Sequence, residues 1–231
     1  MLDLSKRAIG LEIMDDFTLS SAEVDPVLSG LGKMNAWFGG HRSLIRALKA
    51  FPVQAGNKIS DWGCGGGDAL RAIAVWARGR RMAVKLIGVD KAPAAVKFAK
   101  KECSAFPNIS FLQTDVMSDD LIPNQFDIIV SSLFTHHFTD EEWIKLIRKM
   151  YQTAKRGVII TDLHRHWLLY FAVVAITRLF TKSKMARYDG PLSVKRSFTR
   201  KELEDLLKKA EIGNYKLTWM WAFRWRIVIY K

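Results

Sequence analysis

The stretch from Ile59 to Asp68, "ISDWGCGGGD", decides the fold. A short apolar segment runs into a turn where four of the five positions from Gly63 are glycine, with Asp61 and Asp68 on either side. Such a turn between a buried strand and a helix lets backbone N–H groups approach a ligand, and the helix that follows adds a positive end. Pyrophosphate binding would call for GxGxxG. Counted from Gly63 the third glycine falls on Asp68, and counted from Gly65 it falls on Leu70. No Gly-Lys-Ser/Thr follows, and two carboxylates beside the turn would repel a phosphate. They suit a cofactor that carries an ammonium or sulfonium.

Outward from this turn, short apolar runs alternate with helical stretches: "KIS", "ALRAIAVWARGR", "VKLIGVD", "PAAVKFAKKECSAF", "ISFLQTD", "FDIIVSSL", "DEEWIKLIRKMYQTA" and "RGVIITDL". Strand alternating with helix predicts an α/β fold with a parallel sheet covered on both faces, and "FDIIV" is apolar enough to be buried on both. Near the end of the sequence "YKLTWMWAF" and "RWRIVIY" predict an antiparallel hairpin at the sheet edge. Trp219, Trp221 and Trp225 alternate there as sheet residues do and are read as core. Residues 1–50 predict a helical cap, with apolar positions at Ile9, Ile13, Leu28, Leu31 and Met34 and a helix terminus near "FGGHR". Residues 51–231 are then the main domain, with an insert at about 164–198.

The motifs together resemble the class I S-adenosylmethionine-dependent methyltransferases. "DWGCGGGD" looks like that family's Asp-x-Gly-x-Gly-x-Gly, and the later segments fall in the family's order. The resemblance implies a Rossmann-like, seven-stranded, mostly parallel sheet with an antiparallel C-terminal hairpin. It also implies S-adenosylmethionine as cofactor, held by Asp61, Gly63, Gly65 and Gly67 in the first turn. Asp90, followed by Lys91, closes the second strand 23 residues beyond Gly67, where a carboxylate accepts ribose hydroxyls. Asp115 and Val116 close the third strand at the adenine, and Ser131 and Ser132 end the fourth beside the cofactor. Asp68 is equally well placed to cap a helix.

Methyl transfer requires an aligned acceptor and, for an acidic one, a base. Histidine titrates nearest neutrality, and four of the five histidines follow predicted strand ends: His136, His137, His164 and His166. His137, then His164 and His136, are the candidates for base or acceptor-orienting group. The bland alternative for "THHF" is a turn with one imidazole on backbone and the other in solvent. "SSLFTHHF" resembles the same stretch in methyltransferases acting on quinones, lipids and polyketides, which implies a small aromatic or acyl acceptor methylated at O or C. The insert starts with "WLLYFAVVAIT", read first as a buried helix, with a pocket wall or an in-plane membrane contact as alternatives. "DGP" at 189–191 is read as a turn, and Thr199 with Glu202 as a capping box.

A net charge of +13 favours an anionic partner, and His164 to Lys201 holds nine Lys/Arg against the single acid Asp189. An apolar wall with a basic rim suits an acceptor with an anionic end or one delivered on an acidic carrier protein. RNA methylation is the rival reading, but no Asn/Asp-Pro-Pro-aromatic motif for flipped adenines and no Pro-Cys pair is present. A non-catalytic binding module of the same fold is the other. Two cysteines, Cys64 and Cys103, in no CxxC or Cys/His cluster, predict neither a disulfide framework nor a metal site. The expected location is the cytoplasm, with a peripheral membrane contact as an option.

Overall fold

The computed structural model describes residues 2–231. Strands β1 (Lys58–Trp62), β2 (Lys85–Asp90), β3 (Ile109–Gln113), β4 (Phe126–Ser132), β5 (Ala154–Leu163), β6 (Tyr215–Met220) and β7 (Arg224–Tyr230) form one sheet in the order β3-β2-β1-β4-β5-β7-β6. The first five are parallel, and β7 runs antiparallel to both β5 and β6. The antiparallel hairpin lies at the sheet edge as expected, with β7 against β5 and β6 outermost on that side. That placement follows from sequence, since "RWRIVIY" is apolar on both faces whereas "YKLTWM" is not.

Period-2 alternation assigns each apolar residue to a face. Ile128, Val130 and Ile159 point to helices α2 (Gly40–Leu48) and α3 (Asp68–Arg78), where they meet Leu44, Leu48, Leu70 and Ile73. Ile129, Val158 and Ile160 point the other way, to α5 (Asp140–Thr153) and α8 (Arg200–Lys209), against Trp143, Leu146, Ile147 and Leu207. Each such side chain contributes roughly 1.5–3 kcal/mol by leaving water. α4 (Pro93–Glu102) crosses from β2 to β3 with proline in its first turn. α8 opens on the expected Thr199–Glu202 capping box, and α5 on an equivalent Thr139–Glu142 box.

The N-terminal region departs from expectation. Ile9 and Leu11 are exposed, and among the described residues no helix runs before Ser21 apart from a single 3-10 turn, Ile13–Asp15. α1 (Ser21–Trp37) ends where a helix terminus was expected, at "FGGHR", and Gly39, with a left-handed φ of 76°, turns the chain into α2.

The insert departs further. α6 (Trp167–Phe180) is not buried: Trp167, Leu168, Phe171, Leu179 and Phe180 are exposed, and Thr177 is its one buried residue among those described. Its apolar composition exceeds what its main packing partner, α7 (Lys184–Arg196), can cover. "DGP" lies inside α7 instead of forming a turn. The reason is tertiary. Asp189 accepts the Ile13 and Met14 N–H groups, and a Cβ at Gly190 would stand 3.0 Å from Val173 of α6. Of the three tryptophans read as core only Trp225 is buried; Trp219 is half exposed and Trp221, in the β6–β7 turn, is 71% exposed. Among the described residues no helix is long and apolar enough to cross a membrane.

Candidate functional site

The carboxyl ends of the parallel strands converge on the turn after β1. Gly63 and Cys64 donate their N–H groups to the Val89 carbonyl, tying the turn to β2. Gly63, with φ of 69°, has the ring of Phe134 2.1 Å from where a Cβ would stand, so the end of β4 is laid directly on the turn. Gly65, with φ of 47°, is open apart from Leu28 of α1 at 3.5 Å.

Asp61 at the end of β1 is buried, and its Oδ1 has no hydrogen-bond partner among the described residues. Burial, with Asp68 and Asp90 nearby, pushes its carboxyl well above the ordinary range. A buried, unpaired acid at a ligand-facing strand end fits a cationic ligand group. Asp90 accepts from Gly65 N at 2.8 Å and Ala92 N at 2.9 Å, and burial raises it despite those bonds. Asp115 pairs with Lys91 at 2.9 Å on the surface and accepts from Met117 N, and Lys91 also lies over the Phe17 ring. Val116 is buried in the core below them. Ser131 donates to the Trp62 carbonyl, and Ser132 accepts from Thr161, so both hydroxyls are committed to the sheet. Gly67 caps α3 in the left-handed region.

Asp68 has an occupation that sequence reasoning missed. It accepts from Asn35 Nδ2 at 2.9 Å and lies 2.6 Å from His41 Nε2, and Arg224 in turn donates to Asn35 Oδ1. Burial opposes ionisation, but His41 and Asn35 outweigh it and hold the carboxyl below its ordinary value. Asp68 thus fastens α1 and α2 onto the glycine turn. No local spacing announces Asn35; His41 was visible only as a histidine beside glycines.

The two central histidines meet carboxylates, not backbone and solvent. β4 ends in a 3-10 turn, Thr135–His137. His136 is buried, with Nδ1 2.7 Å from Asp162 Oδ1 at the end of β5. Asp162 also accepts from the Thr135 hydroxyl and the His136 N–H. Burial alone would raise Asp162, yet the attraction and hydrogen bonds of His136, with Thr135, bring it to about 2. His137, the more open of the pair, has Nδ1 2.7 Å from Asp15 Oδ1, and the two imidazoles are stacked. An ionised carboxylate only accepts, so both Nδ1 atoms carry the proton. Both Nε2 atoms then turn toward Glu12, at 3.6 Å for His136 and 3.9 Å for His137. Glu12 is buried, accepts from Ser193 Oγ, and is pushed up to about 6 by that burial. Arg196 bonds Asp15 at 2.8 Å and the His136 and His137 carbonyls, while Arg7 bonds the His136 and Phe138 carbonyls. Glu12, Asp15, Arg7 and Arg196 were not among the predicted site residues, because the contacts span most of the chain.

His164 belongs to a separate aromatic nest. It packs on Trp225, His166 and Phe223, and its Nδ1 accepts from Trp219 Nε1 at 3.2 Å. Burial, with His166 and Arg165 adjacent, pushes it down to about 4, so it is neutral near pH 7 and its lone pair is already engaged.

A family described as a methyltransferase domain matches residues 59–157, from β1 into β5. No curated protein matches the chain. Among solved structures, an S-adenosylmethionine-dependent methyltransferase from Aquifex aeolicus superposes with a TM-score of 0.59 at 16% identity, over 80% of this chain and 87% of that one. Human N-acetylserotonin methyltransferase in complex with S-adenosylmethionine gives 0.66 at 19% identity, over 92% of this chain and 56% of that one. The plantazolicin methyltransferase BpumL, bound to S-adenosylhomocysteine, gives 0.64 at 18% identity over 89% of each chain. At these identities the likeness to each structure is one of fold.

Proposed function

We propose that the chain is an S-adenosylmethionine-dependent methyltransferase, a reading supported by the methyltransferase-domain match over residues 59–157 and by the shared fold, and that it methylates a small aromatic or acyl acceptor, at oxygen or carbon, beside His137. What carries the proposal is the pair of carboxylate-backed imidazoles in the turn after β4. His137 lies 6.2 Å, centroid to centroid, from the Phe134 ring that rests on Gly63.

The cofactor supplies a methyl group on positively charged sulfur; the chain's work is to bind, align and keep out water. In this reading the unpaired Asp61 carboxylate faces the methionine ammonium, Asp90 the ribose hydroxyls, and Asp115 with Val116 the adenine. Asp68, through Asn35 and His41, keeps α1 and α2 closed over that end of the site. His137 takes or orients the acceptor's proton, and Asp15 holds its ring and favours the charge it gains. His136, enclosed with Asp162, is a positioning residue for that ring.

The acceptor's class is supported by the α6–α7 pair, since α7 also carries Ser193 and Arg196, which reach Glu12 and Asp15. A pocket of about 340 Å³ opens between α6 and α7, lined by Tyr170, Val174 and Leu192 and rimmed by Arg178, Arg187 and Lys195. It occupies the stripe of α7 next to the one that carries Asp189, Ser193 and Arg196. An apolar body with an anionic end fits it. The exposed apolar face of α6, with Lys182 and Lys184 following it, fits the surface of an anionic lipid layer from which such an acceptor is taken.

A panel of phenolic and acyl acceptors, followed by S-adenosylhomocysteine release, tests the reading. The expected result is transfer to at least one acceptor, with His137→Ala lowering turnover by roughly 10²–10⁴ and cofactor affinity unchanged. Transfer to RNA alone, or full turnover in His137→Ala, overturns it.

A further inference from the structure

The structure assigns Glu12, His136 and His137 as a binding site for one divalent transition-metal ion of the zinc type. This rests on the methyltransferase reading only for its use; the site itself stands on geometry.

One ligand atom from each of the three residues lies within 4.8 Å of the others. His136 Nε2 lies 3.6 Å from Glu12 Oε1 and His137 Nε2 lies 3.9 Å from Glu12 Oε2, both beyond a hydrogen bond. Each is within about half an ångström of the roughly 3.4 Å between ligands that metal–ligand bonds near 2.1 Å give around a tetrahedral centre, with one carboxylate oxygen facing each imidazole. Each imidazole has its other nitrogen on a carboxylate, Asp162 for His136 and Asp15 for His137. That is the arrangement by which a protein fixes the tautomer of a metal-binding histidine and aims its lone pair. Without a cation, two lone pairs face a buried carboxylate.

Charge is compatible with a cation there. Glu12, Asp15 and Asp162 surround the imidazoles, Arg196 pairs with Glu12 and Asp15, and Arg7 sits on the His136 carbonyl with its own partner in Asp140. Two nitrogen donors select against magnesium and calcium, which prefer oxygen alone. Three protein ligands leave a position open, and His137 is the more open member, on the side from which a ligand would enter. Next to the cofactor turn, that position would take the acceptor's oxygen and lower its pKa so that the proton leaves to solvent water; in the metal-loaded protein His137 is then a ligand, and its role as base belongs to the metal-free protein.

The test uses untagged, chelator-treated protein titrated with Co²⁺ and followed by visible absorption, with Zn²⁺ as competitor and bound metal counted by elemental analysis. The expected result is one equivalent per chain, displaced by Zn²⁺. The isosteric Glu12→Gln and His137→Asn should each weaken binding at least tenfold, and Asp162→Asn, acting through His136, by roughly 10–100-fold. Less than a stoichiometric ion in the wild type, or variants that bind as well as it does, overturns the site. Calorimetry with S-adenosylmethionine on the same metal-free samples keeps the two readings apart. Retained cofactor binding with no metal sinks this inference alone, whereas lost cofactor binding with intact metal uptake sinks the methyltransferase reading.

Discussion

The glycine turn and the histidine cluster are neighbours at the carboxyl end of the same sheet, yet they are held in different ways. Asp61, Gly65 and Asp90 belong to one strand–helix–strand unit, and the bonds that shape them are backbone bonds from adjacent strands. The histidine cluster is assembled from the N-terminal segment, the end of β4, the end of β5 and the last turn of α7, joined by charged side chains. The first is a preformed cradle with one unpaired acid. The second is a closure whose strength depends on protonation and on any cation it holds.

The sharpest way to break the cradle alone is Gly65→Val. A β-branched side chain in the left-handed region is strained, and it would enter the open space over the turn, against Leu28. S-adenosylmethionine binding should disappear in calorimetry while Co²⁺ uptake by the histidine cluster survives. Cofactor binding at wild-type strength would show that the ligand does not approach there.

The closure breaks most severely at Asp162. Asp162→Ala leaves the His136 ring, the His136 N–H and the Thr135 hydroxyl without their shared acceptor, which costs about 3 kcal/mol. Urea unfolding measures it, and a loss under about 1 kcal/mol would mean the network relaxes onto water. The sign of the pH effect is set by a carboxyl held at about 2 against an ordinary 3.8. Its stabilisation is complete above pH 4 and is lost as pH falls through 2.

The same contrast governs what sequence can and cannot tell. Asp61 and Asp90 were legible because a strand end, a glycine turn and a helix start follow one another within a single unit. Glu12 was not, since nothing near residue 12 refers to a histidine 124 positions later. Asp189-Gly190-Pro191 has the composition of a turn, but its causes are α6 packed against Gly190 and the N-terminal N–H groups on Asp189. α6 misled by composition: periodicity shows that residues are apolar, not that another element arrives to cover them.

A smaller effect separates proton from metal in the closure. Glu12 is raised from 4.5 to about 6 by burial, so the folded state keeps a proton the unfolded state has lost, and stability falls as pH rises from 4.5 through 6. In metal-free protein Glu12→Gln should therefore be more stable than wild type above pH 6 by about 2 kcal/mol, with the difference closing below pH 4.5. Added Zn²⁺ should reverse the order, because only the wild type gains the bound ion. Thermal unfolding with and without Zn²⁺ checks both halves, and a variant indistinguishable from wild type in all four conditions would remove Glu12 from the closure.

The smallest expected change in stability lies on α6, and α3 shows why it is informative. Both helices are largely apolar, but Leu70 and Ile73 of α3 are fully buried whereas Phe171 and Leu179 of α6 face outward. Ile73→Ser should destabilise the fold by several kcal/mol. Phe171→Ser with Leu179→Ser should move it by no more than about 0.5 kcal/mol, since no core contact is lost. If α6 lies on an anionic lipid surface, the double variant should instead lose co-sedimentation with phosphatidylserine-containing vesicles. Wild-type retention should fall with salt, because Arg178, Lys182, Lys184 and Arg187 have no acidic partner among the described residues. Equal retention of variant and wild type would assign the exposed face to something other than lipid, and a large loss of stability would show that α6 carries core packing after all.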